Sequence, residues 1–168
     1  MTRFRIEALG KHDRQAFQSD SPDLNRYLKT QVSQDVRRRV TACFVAVDVG
    51  SDDLAGFYTL SAGGLSIRDL PESLARKLPR YPSVPIVRVG RLAVSSEQLG
   101  RGVGRMMLID AIRRTIESDI AAFAVVVDAK DDNAVQFYRH HGFIQFAGNK
   151  HSLFLPVNAA VKELLDGT

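Results

Sequence analysis

Gly90-Arg-Leu-Ala-Val94, Ser95-Ser-Glu-Gln-Leu99 and Gly100-Arg-Gly-Val-Gly-Arg105 form the stretch on which the reading of this chain turns. The first segment closes an apolar strand and the second is a polar turn. The third opens a helix, with glycines at 100, 102 and 104. Glycine lets the main chain approach a ligand closely, because no Cβ stands in the way. The N–H groups of a first helical turn have no partner within the helix, and the helix dipole adds partial positive charge there. Strand, turn and glycine-rich helix start together make a phosphate cradle, with Arg101 and Arg105 placed to pair with phosphate oxygens. A Walker loop is excluded, because no Gly-Lys-Ser/Thr ending is present. The dinucleotide fingerprint is excluded by its different Gly-x-Gly-x-x-Gly spacing. The plain alternative is a glycine turn that only packs a helix on a sheet.

Outward from the turn, Ile86–Val94 reads as the strand that feeds it. A helix from Gly102 to about Ser118 leaves it. Val103, Met107, Leu108, Ala111 and Ile112 share the core face of that helix, with Asp110, Arg113, Arg114 and Glu117 opposite. Ala121–Val127 is almost wholly apolar, as a central strand covered on both faces should be. Strand, helix, strand in this order is a right-handed crossover with parallel strands. Upstream, Arg3–Leu9 alternates as a first strand, and Lys11–Phe17 reads as a short helix. Ser21-Pro22-Asp23 caps a helix carrying Leu24, Tyr27, Leu28, Gln31 and Val32 on one face and ending in Arg37-Arg38-Arg39. Val40–Val49 and Leu54–Ala62 form a hairpin, with Gly63-Gly64 ending its second strand. Leu70–Leu78 reads as a short helix and residues 79–85 as a proline-rich loop. Downstream, Asn133–His141 is a short helix with Gly142 at C′. A hairpin through Gly148-Asn149 and a helix at Ala159–Leu165 finish the chain.

The 168 residues fit one domain, 1–168, and 45% hydrophobic residues suffice for a core. No run approaches the roughly 18–20 apolar residues of a membrane span, and the N-terminus has no signal-peptide apolar region. A single cysteine, Cys43, forbids an internal disulfide and suits a reducing, cytoplasmic setting. The lack of Cys/His clusters argues against a metal site. A net charge of +4 is compatible with a polyanionic partner.

The second informative stretch is Asp128–Phe143, ending Asn133-Ala-Val-Gln-Phe-Tyr138-Arg-His-His-Gly-Phe143. It follows a buried strand, so it and the glycine turn are both expected at the carboxyl ends of the parallel strands, where open α/β sheets bind ligands. The alternate glycines and the Asn-x-x-x-Phe-Tyr-x-x-x-Gly-Phe pattern together resemble the GCN5-related N-acetyltransferases, although Leu99 stands where that family usually has Gln or Arg. The resemblance implies an α/β (α+β) fold: a mixed sheet of about six to seven strands, with a splayed parallel central pair, flanked by helices. It also implies acetyl-CoA as cofactor. Its pyrophosphate would lie on Leu99, Gly100, Arg101, Gly102, Val103, Gly104 and Arg105, and its pantetheine arm along Leu92, Ala93 and Val94. Asn133 and Phe137 would complete the set, though the position of Phe137 by itself reads as core. Tyr138 is the expected catalytic residue: a phenol of pKa near ~10 beside a thiol near ~8.5 can donate a hydrogen bond or a proton as charge develops on the departing sulfur. The N–H of Val94 is a candidate for stabilising the oxyanion.

Further segments narrow the resemblance, among them Asp23-Leu-Asn-Arg-Tyr-Leu28, Gly56-Phe-Tyr-Thr-Leu-Ser61, Leu78-Pro-Arg-Tyr-Pro82 and Val126-Val-Asp-Ala-Lys-Asp131. They resemble the acetyltransferase toxins of bacterial toxin–antitoxin modules, which acetylate the α-amine of aminoacyl-tRNA and so stop translation. The implied partners are the charged tRNA, a ribbon-helix-helix antitoxin, operator DNA through the antitoxin complex, and a second copy in a homodimer; no membrane is implied. An α-amine has a pKa near ~7.7–8.0, so part of it is neutral at pH 7 and no strong base is required. Arg80, Arg88, Arg91, Arg37 and Arg38 are the candidate tRNA contacts. Arg88 and Arg91 lie on a central strand at odd spacing, hence on opposite faces; the alternative is that each pairs with an acid such as Asp128. Other readings stay open: an acetyltransferase for a small amine or a protein N-terminus, or a non-enzymatic binding module on the same scaffold. Cys43 reads as a buried strand residue, His140 and His141 as helix-end residues, and His12 and His151 have no evident partner.

Overall fold

The computed structural model describes residues 3–78 and 81–166. Among these the strands are β1 (Phe4–Ala8), β2 (Ala42–Asp48), β3 (Leu54–Ser66), β4 (Ser83–Val94), β5 (Ala124–Asp128), β6 (Ile144–Gln145) and β7 (Ser152–Pro156). They form one seven-stranded sheet in the order β1-β2-β3-β4-β5-β7-β6. The helices are α1 (Pro22–Thr30), α2 (Val32–Arg37), α3 (Glu72–Ala75), α4 (Val103–Glu117), α5 (Asp132–His140) and α6 (Val157–Asp166). The expected parallel pair is present, with β4 against β5 from Ile86↔Ala124 to Val89↔Val127. The pairs β1–β2, β2–β3, β5–β7 and β6–β7 are antiparallel. The chain divides into two units. One holds the described residues up to Ser61 with Gly90–Ala111; the other holds Ala62–Val89 and the described residues from Ile112 onward.

In the first unit, α1 starts as its sequence dictates: the Ser21 side chain accepts from the Leu24 N–H at 3.2 Å and Pro22 opens the first turn. The helix does not run through to Arg39. It breaks at Gln31, where φ is −121°, and restarts as α2. Tyr27, Leu28 and Val32 pack with Phe17, Val45, Val47 and Phe57, while Gln31 stays exposed and bonds Asp35 instead. The expected helix at Lys11–Phe17 is absent. His12 Nδ1 accepts from the Gly10 N–H just before the segment, and Asp13 Oδ1 accepts from the Gln15 N–H, the amide that would make the first helical bond. Gly56 lets α4 come close: a Cβ there would lie 2.7 Å from Met107 Cε and 2.8 Å from the Ala93 carbonyl oxygen.

In the second unit, β3 continues through Gly63-Gly64 to Ser66 instead of ending there. A Cβ on Gly63 would sit 3.3 Å from Ile86 Cδ1, so glycine here serves a close approach and not a turn. Ile86, Ala124, Val126, Phe146 and Phe154 share a core with Leu65, Leu70 and Val84. Ala124–Val127 are buried throughout, as a strand covered on both faces requires. The Asp131 carboxylate caps α5 by accepting from the Ala134 N–H at 2.8 Å. Gly142, just past its end, has φ +92°.

Candidate active site

The glycine turn lies in the first unit. Gly100 and Gly102 both have φ +79°, the left-handed region that side chains other than glycine avoid. A Cβ at either would meet nothing within 4 Å, so the space over the turn is open. Gly104 lies inside α4, and the first intrahelical bond is Met106 N–H to the Gly102 carbonyl. Among the described residues, none accepts from the N–H groups of Gly102, Val103, Gly104 or Arg105. Leu99 is 62% exposed, while the Val103 side chain is buried in the core. Arg105 is exposed, as is Arg101, which donates to Gln98 Oε1 at 3.3 Å. Gln98 donates in turn to Asp48 at the end of β2, at 3.2 Å. Gln98 therefore ties the turn to the sheet, a role that its position one place before Leu99 only hints at.

The backbone of β4 enters the turn with a definite polarity. The Arg91 N–H donates to Thr59 Oγ1 and the Ser95 N–H to the Ala55 carbonyl, both on β3. Amides alternate sides along a strand, so the main-chain groups of Leu92 and Val94 face away from β3. Ala93, between them, has its side chain in the core.

The arginine readings divide. Arg91 lies over the Tyr27 ring, 3.6 Å from its centroid, and the Tyr27 hydroxyl donates to Asp35 at 2.8 Å. Burial and that bond hold the Tyr27 phenol protonated well above its usual range, and the same bond holds the Asp35 carboxyl below its own. Arg37 and Arg38 are exposed at the end of α2. Arg80 lies outside the described residues. Cys43 is buried and its thiol is pushed up to about 12 by desolvation, as suits a packing residue. Asp110, expected on the solvent face of α4, instead accepts from the buried Tyr58 hydroxyl.

The second unit holds the aromatic helix. Val135 and Tyr138, three apart, form the buried face of α5. Tyr138 is 3% exposed; Phe137, whose position read as core, is only half-buried and packs edge-on against His141. Among the described residues no enclosed side-chain N or O atom lacks a partner, and none bonds the Tyr138 hydroxyl, so that oxygen reaches accessible space. Burial, reinforced by the negative charge of Asp128, raises the Tyr138 pKa well above that of a free phenol. Asn133 is exposed in the first turn of α5. Arg88 makes the expected ion pair with Asp128, 3.0 Å to each carboxylate oxygen. His12 and His151 do have partners, Glu7 and Asp132, each at 3.1 Å.

The chain is similar to known proteins over much of its length. Residues 78–152 match the family model described as an acetyltransferase (GNAT) domain. A tRNA-acetylating toxin of Mycobacterium tuberculosis is 34% identical over 130 residues, 76% of each chain. The structure superposes on that of AtaT complexed with acetyl-methionyl-tRNAfMet with a TM-score of 0.88 and 26% identity, covering 97% of this chain and 99% of that one. It also superposes on AtaTR bound with AcCoA, with a TM-score of 0.81, 26% identity and coverage of 97% and 98%.

Proposed function

We infer that this chain, which belongs to the GNAT acetyltransferases of the tRNA-acetylating toxin kind, transfers the acetyl group of acetyl-CoA to the α-amine of an aminoacyl-tRNA and thereby blocks translation. The observation that carries the reading is the turn at Gly100–Gly102, whose left-handed glycines leave open space before a helix start whose amides no described residue bonds. Such a start takes an anion, and the pyrophosphate of coenzyme A fits it.

In this reading the N–H groups of Gly102–Arg105 hold the pyrophosphate, and Arg101 and Arg105 add charge. Leu99, Gly100 and Val103 shape that turn. The outward main-chain groups of Leu92 and Val94 line the pantetheine arm, and Asn133 and Phe137 contact the cofactor from α5. Bound acetyl-CoA supplies an acetyl group activated as a thioester. Tyr138 donates a hydrogen bond toward the departing sulfur. Burial and the Asp128 charge both oppose the phenolate, so the phenol stays protonated and acts by hydrogen-bonding the sulfur as negative charge develops there. The α-amine needs no dedicated base, since part of it is already neutral near pH 7.

Residues 1–168 act as a single acetyltransferase domain. Arg37, Arg38, Arg80, Arg88 and Arg91 supply tRNA contacts, of which Arg88 must share its guanidinium with Asp128. A ribbon-helix-helix antitoxin neutralises the toxin and carries it to operator DNA, and the toxin itself pairs as a homodimer. The test is incubation of the purified protein with acetyl-CoA and a charged tRNA pool, with mass spectrometry of the 3′ ends. The expected product is N-acetylaminoacyl-tRNA; acetylation of a polyamine or protein N-terminus in its place overturns the reading.

A further inference from the structure

In the first unit the half-buried Arg91 of β4 holds its guanidinium over the Tyr27 ring of α1, 3.6 Å from the centroid. At that separation the planar group lies against the ring face, and its N–H donors point out around the edge. Among the described residues none accepts from those donors; the bond Arg91 makes runs from its main-chain N–H to Thr59 Oγ1 at 3.1 Å. No enclosed side-chain nitrogen among the described residues lacks a partner, so the guanidinium edge reaches accessible space. Asp35, on α2, is the carboxylate within electrical reach. It feels the charges of Arg91 and Arg38 yet makes an ion pair with neither. Its Oδ2 accepts from the Tyr27 hydroxyl at 2.8 Å and its Oδ1 from Gln31 Nε2 at 3.1 Å.

A half-buried cation ordinarily takes the nearest carboxylate as its partner. Here both oxygens of that carboxylate are engaged by neutral donors instead. Burial and the bond to Asp35 keep the Tyr27 hydroxyl protonated, so it remains a donor. A phenol that donates to a carboxylate gains electron density in its ring, which strengthens the pull on a cation above the face. The arrangement therefore fixes a guanidinium in place without neutralising it. We propose that Tyr27 and Asp35 are positioning residues for phosphate binding: the ring seats Arg91, and the hydroxyl keeps the Asp35 carboxylate off it, so the guanidinium edge stays open for a backbone phosphate of the tRNA. An arginine edge matches two phosphate oxygens at once. A side chain ordered beforehand loses less entropy when the contact forms. The proposal rests on the reading of Arg91 as a tRNA contact and adds to it the two residues that act through Arg91.

The test titrates the full chain with a deacylated tRNA pool at several salt concentrations between about 50 and 200 mM. Arg91→Ala should lower the slope of log affinity against log salt by about 0.7–0.9, the loss of one phosphate contact. Tyr27→Leu removes the seat and should weaken binding about two- to tenfold, the scale of one side chain left to be ordered on binding. Its salt slope should stay that of the wild type, because the contact still forms. Added to Arg91→Ala, Tyr27→Leu should change nothing further, and this double-mutant cycle separates positioning from general damage. Tyr27→Phe keeps the ring and the fold but releases Asp35. It should weaken tRNA binding and raise KM for charged tRNA with kcat and acetyl-CoA affinity kept, and it should have no effect when Asp35→Asn is already present. Tyr27 variants that weaken binding equally with and without Arg91, or unchanged binding in Tyr27→Phe, overturn the proposal and leave the acetyltransferase reading standing. An unchanged salt slope in Arg91→Ala does the same. A wild type that neither binds tRNA nor acetylates its charged form overturns both.

Discussion

Gly102→Ala separates the cost of folding the glycine turn from the cost of binding there. The backbone at Gly102 has φ +79°, a conformation that costs an L-residue about 1–2 kcal/mol. Alanine returns part of that by narrowing the unfolded ensemble, about 0.4–1 kcal/mol. The net loss of stability is therefore about 1 kcal/mol, or ~2–4 °C in Tm for a chain of this size. Nothing in the protein lies within 4 Å of the added methyl group, so it takes space from the ligand and not from the core. Losing one charge-assisted hydrogen bond to the pyrophosphate costs about 1.5–3 kcal/mol, a ten- to hundredfold weaker Kd on that order. Calorimetry with acetyl-CoA reads this directly. Gly64→Ala is the control, since its Cβ also meets open space and its φ is not left-handed; it should leave the affinity unchanged. Wild-type affinity in Gly102→Ala, or an equal loss in Gly64→Ala, refutes the assignment of the pyrophosphate to this turn.

Gly56→Ala pushes a methyl group to within 2.7 Å of Met107 Cε and 2.8 Å of the Ala93 carbonyl. The methionine tip can move but the strand carbonyl cannot, so a loss of about 1–3 kcal/mol is expected as a lower denaturant midpoint at unchanged m. Asp131→Ala removes the cap of α5 and should cost about 1 kcal/mol in the same assay. Burial pushes the Cys43 thiol up to about 12, against ~8.5 in the unfolded chain. The unfolded state then loses its proton first, so the stability this group contributes is full below pH ~8.5 and falls as pH climbs toward about 12. Cys43→Ala should flatten the stability curve between about pH 8.5 and 10, and an unchanged slope contradicts the burial argument.

Where a residue's role is local, the sequence carries it. The Ser21 cap, the core face of α4 from Val103 to Ile112 and the C′ glycine at 142 lie where periodicity and capping chemistry put them. The same holds for the parallel crossover from β4 to β5, because a strand–helix–strand order with an apolar third piece has few other solutions. Tertiary partners decide the rest. Gly63-Gly64 reads as a break until Ile86 is seen against it. Lys11–Phe17 has helical spacing, but the Asp13 side chain takes up the Gln15 amide and His12 turns back to the Gly10 amide. Phe137 and Tyr138 are neighbours of similar apolarity, and only the packing of α5 shows that the tyrosine is the buried one. Arg88 and Arg91 are equal in sequence, yet one meets a carboxylate forty residues away and the other an aromatic face.

The most direct measurement is the single-turnover rate of acetyl transfer to charged tRNA by Tyr138→Phe. No described residue bonds the phenol oxygen, and the ring is otherwise preserved, so Tm and acetyl-CoA affinity should stay near wild type. The account predicts a rate at least about a hundredfold lower, the scale of a lost hydrogen bond to developing charge. A wild-type rate in that variant would contradict it.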